Sequence, residues 1–118
     1  RNPEIRAALA KVYPQKWLAQ APIIAVLVGC ESEAWKRLEG NTIIDVDAAI
    51  AMEHFMLAAT AEGHATSWTG AYRRAEADNA PGLDPKYKTV AMSPLGYAAA
   101  EPGPFVRKPL DELFKVVD

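Results

Sequence analysis

The feature that most constrains the fold of this chain is an alanine-rich apolar segment, DVDAAIAMEHFMLAATAE, at residues 45–62. Alanine is the strongest helix former, Asp45 or Asp47 provides an N-cap, and Gly63 provides the helix end. The apolar side chains cover far more than one helical stripe. A helix that is apolar nearly all round is buried by several neighbours or by a partner chain. We therefore predict a central buried helix over residues 45–62.

An uncharged run, PIIAVLVG at residues 22–29, gives the second constraint. It is rich in β-branched residues, short for a helix and apolar on both faces, which predicts a central strand covered on both sides. A further strand is predicted over residues 87–97, where Pro94 indicates an edge strand or a bulge. Residues 64–70 are predicted to be a short strand or an extended segment.

Helix signals occur on either side of these strands. Asn2 is a good N-cap and Pro3 suits the first helical position, so residues 3–13 are predicted to form a helix that ends at Pro14. Shorter helical segments are predicted at 15–20, 71–79 and 110–117, and residues 30–42 are predicted to form a loop. This order of elements predicts the α+β class, as an α/β sandwich with a mixed sheet flanked by helices.

Composition excludes several classes of function. The chain has 118 residues, a net charge of −2 and a pI near 5.7, so it offers no basic surface for nucleic acid or an anionic membrane. No apolar stretch is long enough to span a bilayer. The lone Cys30 excludes an internal disulfide and favours a reducing, cytoplasmic location. His54 and His64 lack metal-ligand spacing, so no metal site is predicted.

Three segments carry a resemblance to a known family. They are WLAQAPIIAVLVG at residues 17–29, IIDVDAAIAMEHFMLAATAEGHATSWTGAY at 43–72, and VAMSPLGYAAAEPGPFVRKPLDEL at 90–113. Their order and spacing resemble the flavin-dependent nitroreductases. The match includes that family's central helix, its Trp-x-Gly turn, its Leu-Gly-Tyr strand end and the Arg-Lys-Pro-Leu sequence before its last helix.

The resemblance implies an α+β fold that forms a homodimer through long helices and holds FMN at the subunit interface. It also implies an oxidoreductase that passes hydride from NAD(P)H through flavin N5 to a nitroaromatic, a quinone or a similar small acceptor. Because the flavin carries the redox chemistry, the protein supplies binding and orientation, and no catalytic side chain is predicted.

Six cofactor-binding residues follow from the same resemblance. Backbone of the turn formed by Trp68, Thr69, Gly70 and Ala71 is expected at the flavin N5 edge, where small residues allow close approach. Arg107, with Lys108 as second choice, is expected at the flavin phosphate. The alternatives are that the small residues ease a helix-to-strand connection and that the basic pair is a solvated one.

Two family segments do not occur in this sequence: an Arg-x-Ser-x-Arg segment and a Pro-Ser-x-x-Asn segment, both associated with the flavin. The resemblance therefore covers the C-terminal two-thirds of the family pattern. We expect residues 1–118 to form a single nitroreductase-like domain without that N-terminal flavin-binding segment. The alternative function is that of a shortened, non-catalytic relative that acts as a dimerising, flavin-binding or structural protein.

Overall fold

The computed structural model describes residues 2–80 and 82–117. It contains helix α1, a 3-10 helix, strand β1, helix α2, strand β2, helix α3, strand β3 and helix α4. Their bounds in chain order are Pro3–Lys11, Lys16–Gln20, Ile23–Cys30, Ile44–Ala61, Ala65–Thr66, Arg74–Asp78, Tyr87–Gly96 and Leu110–Leu113.

The sheet of the described residues has three strands in the order β1-β3-β2, and both pairings are antiparallel. The α+β class is confirmed, but the sheet is antiparallel rather than mixed. The prediction that β1 is the central strand is wrong, because β3 occupies the centre and β1 an edge. Apolar residues on both faces of β1 reflect helices packed above and below the sheet, which an edge strand experiences as much as a central one.

Strand β3 is central although it contains Pro94. The predicted edge position is wrong, and the irregularity in register lies at Leu27/Val28 rather than opposite Pro94, which pairs with Ile24. Met92 directs its N–H and carbonyl to Thr69, on the β2 side. Pro94, two residues on, directs its nitrogen to the same side. The missing donor is tolerated because the regular β2 pairing ends at Thr66, and the Ser67 carbonyl beyond it accepts instead from the Thr69 hydroxyl at 3.3 Å.

Helix α1 begins as its sequence predicts. Asn2 is the N-cap and accepts from the Glu4 and Ile5 amides, and Pro3 occupies the first turn. The helix is shorter than predicted, ending at Lys11 with Val12 as C-cap. It packs with the 3-10 helix and α3 on one face of the sheet, around a core cluster of Leu9, Val12, Leu18, Ala77, Ala80 and Met92.

The opposite face of the sheet is covered by α2. Because successive strand residues point to opposite faces, Met92 enters the core cluster while the fully buried Ala91 and Ser93 point the other way. A side chain at Gly29 would clash with Ile44, so this glycine permits the close packing of β1 against the start of α2.

Helix α2 matches the predicted span to within a residue, but its start differs in detail. Ile43 is the N-cap residue and makes no side-chain cap, whereas Asp45 and Asp47 lie in the first turn, where they favour the helix dipole. Gly63 follows the helix with φ +75°, the left-handed conformation that ends a helix.

Only one stripe of α2 is buried within the chain. Ala48, Met52 and Ala59 are buried, whereas three large apolar side chains, Val46, Ile50 and Leu57, are about half exposed. The predicted burial nearly all round is thus not achieved by this chain alone.

The C-terminal segment departs from its predicted helix. Helix α4 covers Leu110–Leu113 and not 110–117, because Phe114 adopts an extended backbone. Described residues of this segment are exposed, including a set of apolar side chains that a single copy leaves uncovered: Phe105, Val106, Leu110, Leu113, Phe114, Val116 and Val117. Helix α3 is also shorter than predicted, covering Arg74–Asp78 of 71–79.

Candidate functional site

The turn at residues 68–71 is fixed to the centre of the sheet through Thr69. The Thr69 N–H donates to the Met92 carbonyl at 2.8 Å, and the Met92 N–H donates back to the Thr69 carbonyl at 3.0 Å. Thr69 is 2% exposed, and its hydroxyl donates to the Ser67 carbonyl. The Thr69 amide is therefore occupied within the protein and cannot also donate to a ligand.

Gly70 and Ala71 differ from Thr69 both in solvent exposure and in the hydrogen bonding of their amides. Both are exposed, and neither amide has a hydrogen-bond acceptor among residues 2–80 and 82–117. Trp68, the preceding residue but one, is 44% exposed. The turn at residues 68–71 is therefore open to solvent and is not covered by the chain's own side chains. Within the described residues, both amides are therefore left available as hydrogen-bond donors to a ligand.

Among the residues that the structure describes, nothing requires a glycine at position 70. Its φ is not positive, and an added Cβ would meet only the Trp68 indole, at ordinary distances of 3.5 and 3.9 Å. A small residue here leaves space outside the protein surface rather than relieving a clash or a strained turn. This is the arrangement expected where a flat ligand lies against bare backbone.

An open groove of about 440 Å³ adjoins the segment that leads into this turn. Its walls come from the 3-10 helix, the two residues that precede β1, strand β2 and the end of β3, and none of its side chains carries a charge. Trp17, Pro22, Pro94 and Tyr97 provide flat apolar surfaces, and Ser67 is its lining residue nearest the turn. The full lining is Trp17, Gln20, Ala21, Pro22, Ala65, Thr66, Ser67, Pro94, Gly96, Tyr97 and Ala99.

Aromatic rings stand at two sides of this groove. Tyr97, 83% exposed, stacks on His64 with ring centroids 5.2 Å apart and an interplanar angle of 23°. Trp17 is held edge-on by Tyr13 at 5.3 Å. Gly96 allows close packing here, because a Cβ would lie a tight 3.0 Å from the Pro22 ring. The uncharged walls and flat rings suit a planar, largely apolar ligand.

Sequence reasoning did not identify the groove residues as a site. Trp17 lies in the first segment that resembles the family and Tyr97 in the third, but the resemblance assigned neither of them to a site. The signal that could have indicated the groove is that two aromatic residues, Trp17 and Tyr97, lie within segments that resemble the family. None of the six predicted cofactor residues lines the groove itself, although Ser67 directly precedes Trp68.

Arg107 and Lys108 lie on the exposed C-terminal segment. The Arg107 guanidinium stands 4.8 Å over the Phe105 ring, and within the described part of the chain it forms no ion pair. The pair is thus available to an anion, but a single copy does not bring it into the groove lining.

Polar contacts after the turn join the end of α3 to strand β3. The Asp78 carboxylate accepts from both the Thr89 N–H and the Thr89 hydroxyl, each at 2.7 Å. Burial opposes ionisation of Asp78, but these hydrogen bonds and the nearby Lys88 ammonium outweigh it and lower the pKa of the carboxyl. Tyr72 packs on the core cluster, and burial raises the pKa of its hydroxyl.

Between residues 2–80 and 82–117, no group of three His, Cys, Asp or Glu side chains is placed to hold a metal ion. Over the same residues, no helix has the length and hydrophobicity needed to cross a membrane.

Comparison with protein families assigns the chain. The model of the nitroreductase family matches residues 2–97, which is most of the sequence, so the chain belongs to the nitroreductase family. Among proteins of curated function, none matches this chain.

Solved structures support the same fold. A nitroreductase family protein of Clostridium novyi NT is 27% identical over 81% of this chain, with a TM-score of 0.71. A Staphylococcus epidermidis protein with an inferred NAD(P)H:FMN oxidoreductase activity covers 99% of this chain at 15% identity and a TM-score of 0.85. An inferred nitroreductase of Exiguobacterium sibiricum, solved in complex with FMN, is 27% identical over 61% of this chain, with a TM-score of 0.56.

These relatives are longer than the chain. It spans 57% of the Clostridium protein, 72% of the Staphylococcus protein and 35% of the Exiguobacterium protein.

Proposed function

We propose that this chain is part of an FMN-dependent oxidoreductase that uses NAD(P)H as electron donor. The observation that carries the proposal is the open turn, where the Gly70 and Ala71 amides have no partner among the described residues and closely follow Ser67, which lines an uncharged, aromatic-walled groove. Family membership and the FMN complex of one similar protein support the choice of ligand. When bound, FMN supplies hydride transfer between NAD(P)H and a small acceptor such as a nitroaromatic or a quinone.

The turn residues would hold the edge of the flavin ring. Fixed amide donors stabilise negative charge where it develops, and they need no reorganisation because the fold has already placed them. The original set of Trp68, Thr69, Gly70 and Ala71 is narrowed by the sheet pairing, since the Thr69 amide is occupied. Gly70 and Ala71 are the donors, and Trp68 and Thr69 support them from the flanking positions.

The groove would receive the planar part of the ligand. Apolar flat surfaces from Trp17, Pro22 and Tyr97 exclude water from a ring and stack against it. A cavity of this size with few polar groups is typical of small-molecule and cofactor sites. We propose that ring stacking in the groove and amide donation at the turn act on one ligand.

Arg107 and Lys108 would hold the phosphate of FMN. Arginine binds two phosphate oxygens with its planar fork, whereas lysine acts as a point charge. Neither carries a carboxylate partner in the described residues, so an anion would not have to displace one.

We further propose that the functional protein is a homodimer. Val46, Ile50 and Leu57 leave an apolar stripe of α2 uncovered in one copy, and the C-terminal segment adds seven exposed apolar side chains. Apolar surface on this scale is typical of an interface. A second copy would cover both surfaces and would bring the exposed C-terminal segment against a folded neighbour.

The visible spectrum of the purified protein tests the flavin proposal. A flavoprotein absorbs at about 450 nm, a property of the bound flavin. Protein purified in excess FMN and then desalted should remain yellow. In the absence of oxygen, NADH or NADPH should reduce the bound flavin and remove its absorption band. A colourless protein that takes up no FMN would favour the shortened, non-catalytic relative instead.

A further inference from the structure

Arg73 ties the end of the candidate flavin turn to the end of α1. Its backbone N–H donates to the Val12 carbonyl at 2.9 Å, and its Nη2 donates to the Lys11 carbonyl at 2.6 Å. Lys11 is the last residue of α1 and Val12 is its C-cap. Carbonyls at a helix C-terminus lack partners inside the helix and lie at the negative end of its dipole, so they favour a guanidinium.

Both ends of this contact make further contacts within the chain. Val12 is 4% exposed and belongs to the core cluster. On the other side, Glu76 holds the Arg73 Nε at 2.6 Å, which restricts the rotamers of a long side chain. The Arg73 carbonyl also accepts from the Glu76 and Ala77 amides, so the same residue begins α3.

The turn is therefore anchored on both sides of its free amides. Upstream, Thr69 exchanges two backbone hydrogen bonds with Met92, and downstream, Arg73 is bound to α1. Gly70 and Ala71 lie between these anchors and make no backbone hydrogen bond of their own to the described residues. Their position depends on the anchors, and donors act on developing charge only when their position is fixed.

We infer that Arg73 is a positioning residue that fixes the Gly70 and Ala71 amides for the flavin. This inference rests on the proposed flavin function, but its mechanical part concerns the ligand-free protein. Arg73 does not line the groove, and its side chain acts on α1 rather than on a ligand.

The test compares Arg73→Ala with Arg74→Ala. Arg74 is the adjacent residue, carries the same charge and is half exposed, but its side chain makes only a 3.8 Å contact with Asp45. Backbone ¹⁵N order parameters of Gly70 and Ala71 are measured without FMN, and FMN dissociation constants are measured by fluorescence titration. Arg73→Ala should lower the order parameters from about 0.85 towards about 0.6. It should also weaken FMN binding on the order of tenfold, while Arg74→Ala changes neither.

Two milder variants keep the test decisive if Arg73→Ala does not fold. Glu76→Gln leaves both Arg73 bonds to α1 but loosens the guanidinium, and Arg73→Lys keeps the charge without the planar fork. Each should give a smaller loss of order at Gly70 and Ala71. Unchanged order parameters in the folded variants, or an equal change in Arg74→Ala, would overturn the inference. Wild-type protein that binds no FMN would refute the proposed function, and the order parameters would still decide the anchoring role.

Discussion

Thr69 and Met92 exchange both of their backbone hydrogen bonds, at 2.8 and 3.0 Å, at a point where β2 has already ended. This isolated pair attaches the candidate flavin turn to the central strand of the sheet. It also removes the Thr69 amide from the set of donors available to a ligand. The chemistry of the turn is thereby concentrated on Gly70 and Ala71.

A bulky side chain at position 70 should block the ligand without damaging the fold. Gly70→Leu places new atoms in open space, since a Cβ there meets only ordinary contacts, so the free energy of unfolding should change by no more than about 0.5 kcal/mol. FMN affinity should fall by at least about tenfold, because the side chain occupies the surface where a ring would lie. Fluorescence titration and urea denaturation measure the two quantities.

Ala7→Leu is the matched control, because it adds a larger side chain at an exposed position on α1. Retained FMN affinity in Gly70→Leu would show that the turn does not face the flavin.

Removal of the Arg107 guanidinium should weaken FMN retention. Loss of a charge-assisted contact costs about 1.5–3 kcal/mol, which corresponds to about tenfold or more in the dissociation constant. Lys108→Ala, tested alongside, should have the smaller effect because lysine offers no bidentate contact. An FMN dissociation constant in Arg107→Ala equal to that of wild type would exclude Arg107 as the phosphate ligand.

Stability should depend on Asp78 in the acid range. Its pKa is lowered from 3.8 in the folded protein, so the folded state binds fewer protons than the unfolded state near that pH. The stabilisation is present above pH 3.8 and is lost as the pH falls through that value and then through the lower folded pKa.

Urea denaturation between pH 7 and 3 checks this linkage. Asp78→Asn should reduce the free energy of unfolding at pH 7 by about 1–3 kcal/mol, because charge-assisted bonds to Thr89 are weakened. Asp78→Asn should also reduce the fall in the free energy of unfolding as the pH is lowered. The substitution Asp111→Asn, at an exposed position, should leave that fall unchanged. If the free energy of unfolding falls equally with pH in Asp78→Asn and in wild type, Asp78 is not the group responsible for the loss of stability.

The uncovered stripe of α2 predicts self-association. Light scattering at micromolar concentration should give the mass of a dimer, because Ile50 and Leu57 are more than half exposed in a single copy. A charge on the stripe, as in Leu57→Lys, should shift the protein towards monomer with the helix content retained. A wild-type monomer under these conditions would contradict the homodimer.

Local signals in the sequence were sufficient for several elements. The Asn2-Pro3 start of α1 and the Gly63 end of α2 were predicted because capping depends on a few neighbouring residues. Strand order was not predictable in the same way. The apolar run of β1 reports burial by helices on both faces, and it carries no information about which strand lies beside it.

The candidate site also divides into features with a local sequence signal and features that depend on tertiary structure. The turn at residues 68–71 is contiguous, so a resemblance could identify it, but the consumption of the Thr69 amide by Met92 depends on tertiary pairing. The groove joins Trp17, Pro22 and Tyr97 from separate elements, and no spacing in the sequence indicates that they meet. Arg73 was predicted only as part of a helical segment at 71–79, because its bond to Lys11 joins residues 62 positions apart in the sequence.

The most direct test of the account is an FMN titration followed by two-dimensional ¹H–¹⁵N NMR of the backbone amides. If the turn holds the flavin edge, the Gly70 and Ala71 signals should shift strongly with a saturable dependence on FMN. The Thr69 signal should shift less, because its amide already donates to Met92. Saturable FMN binding that leaves Gly70 and Ala71 unmoved, with the largest shifts elsewhere in the chain, would contradict the account.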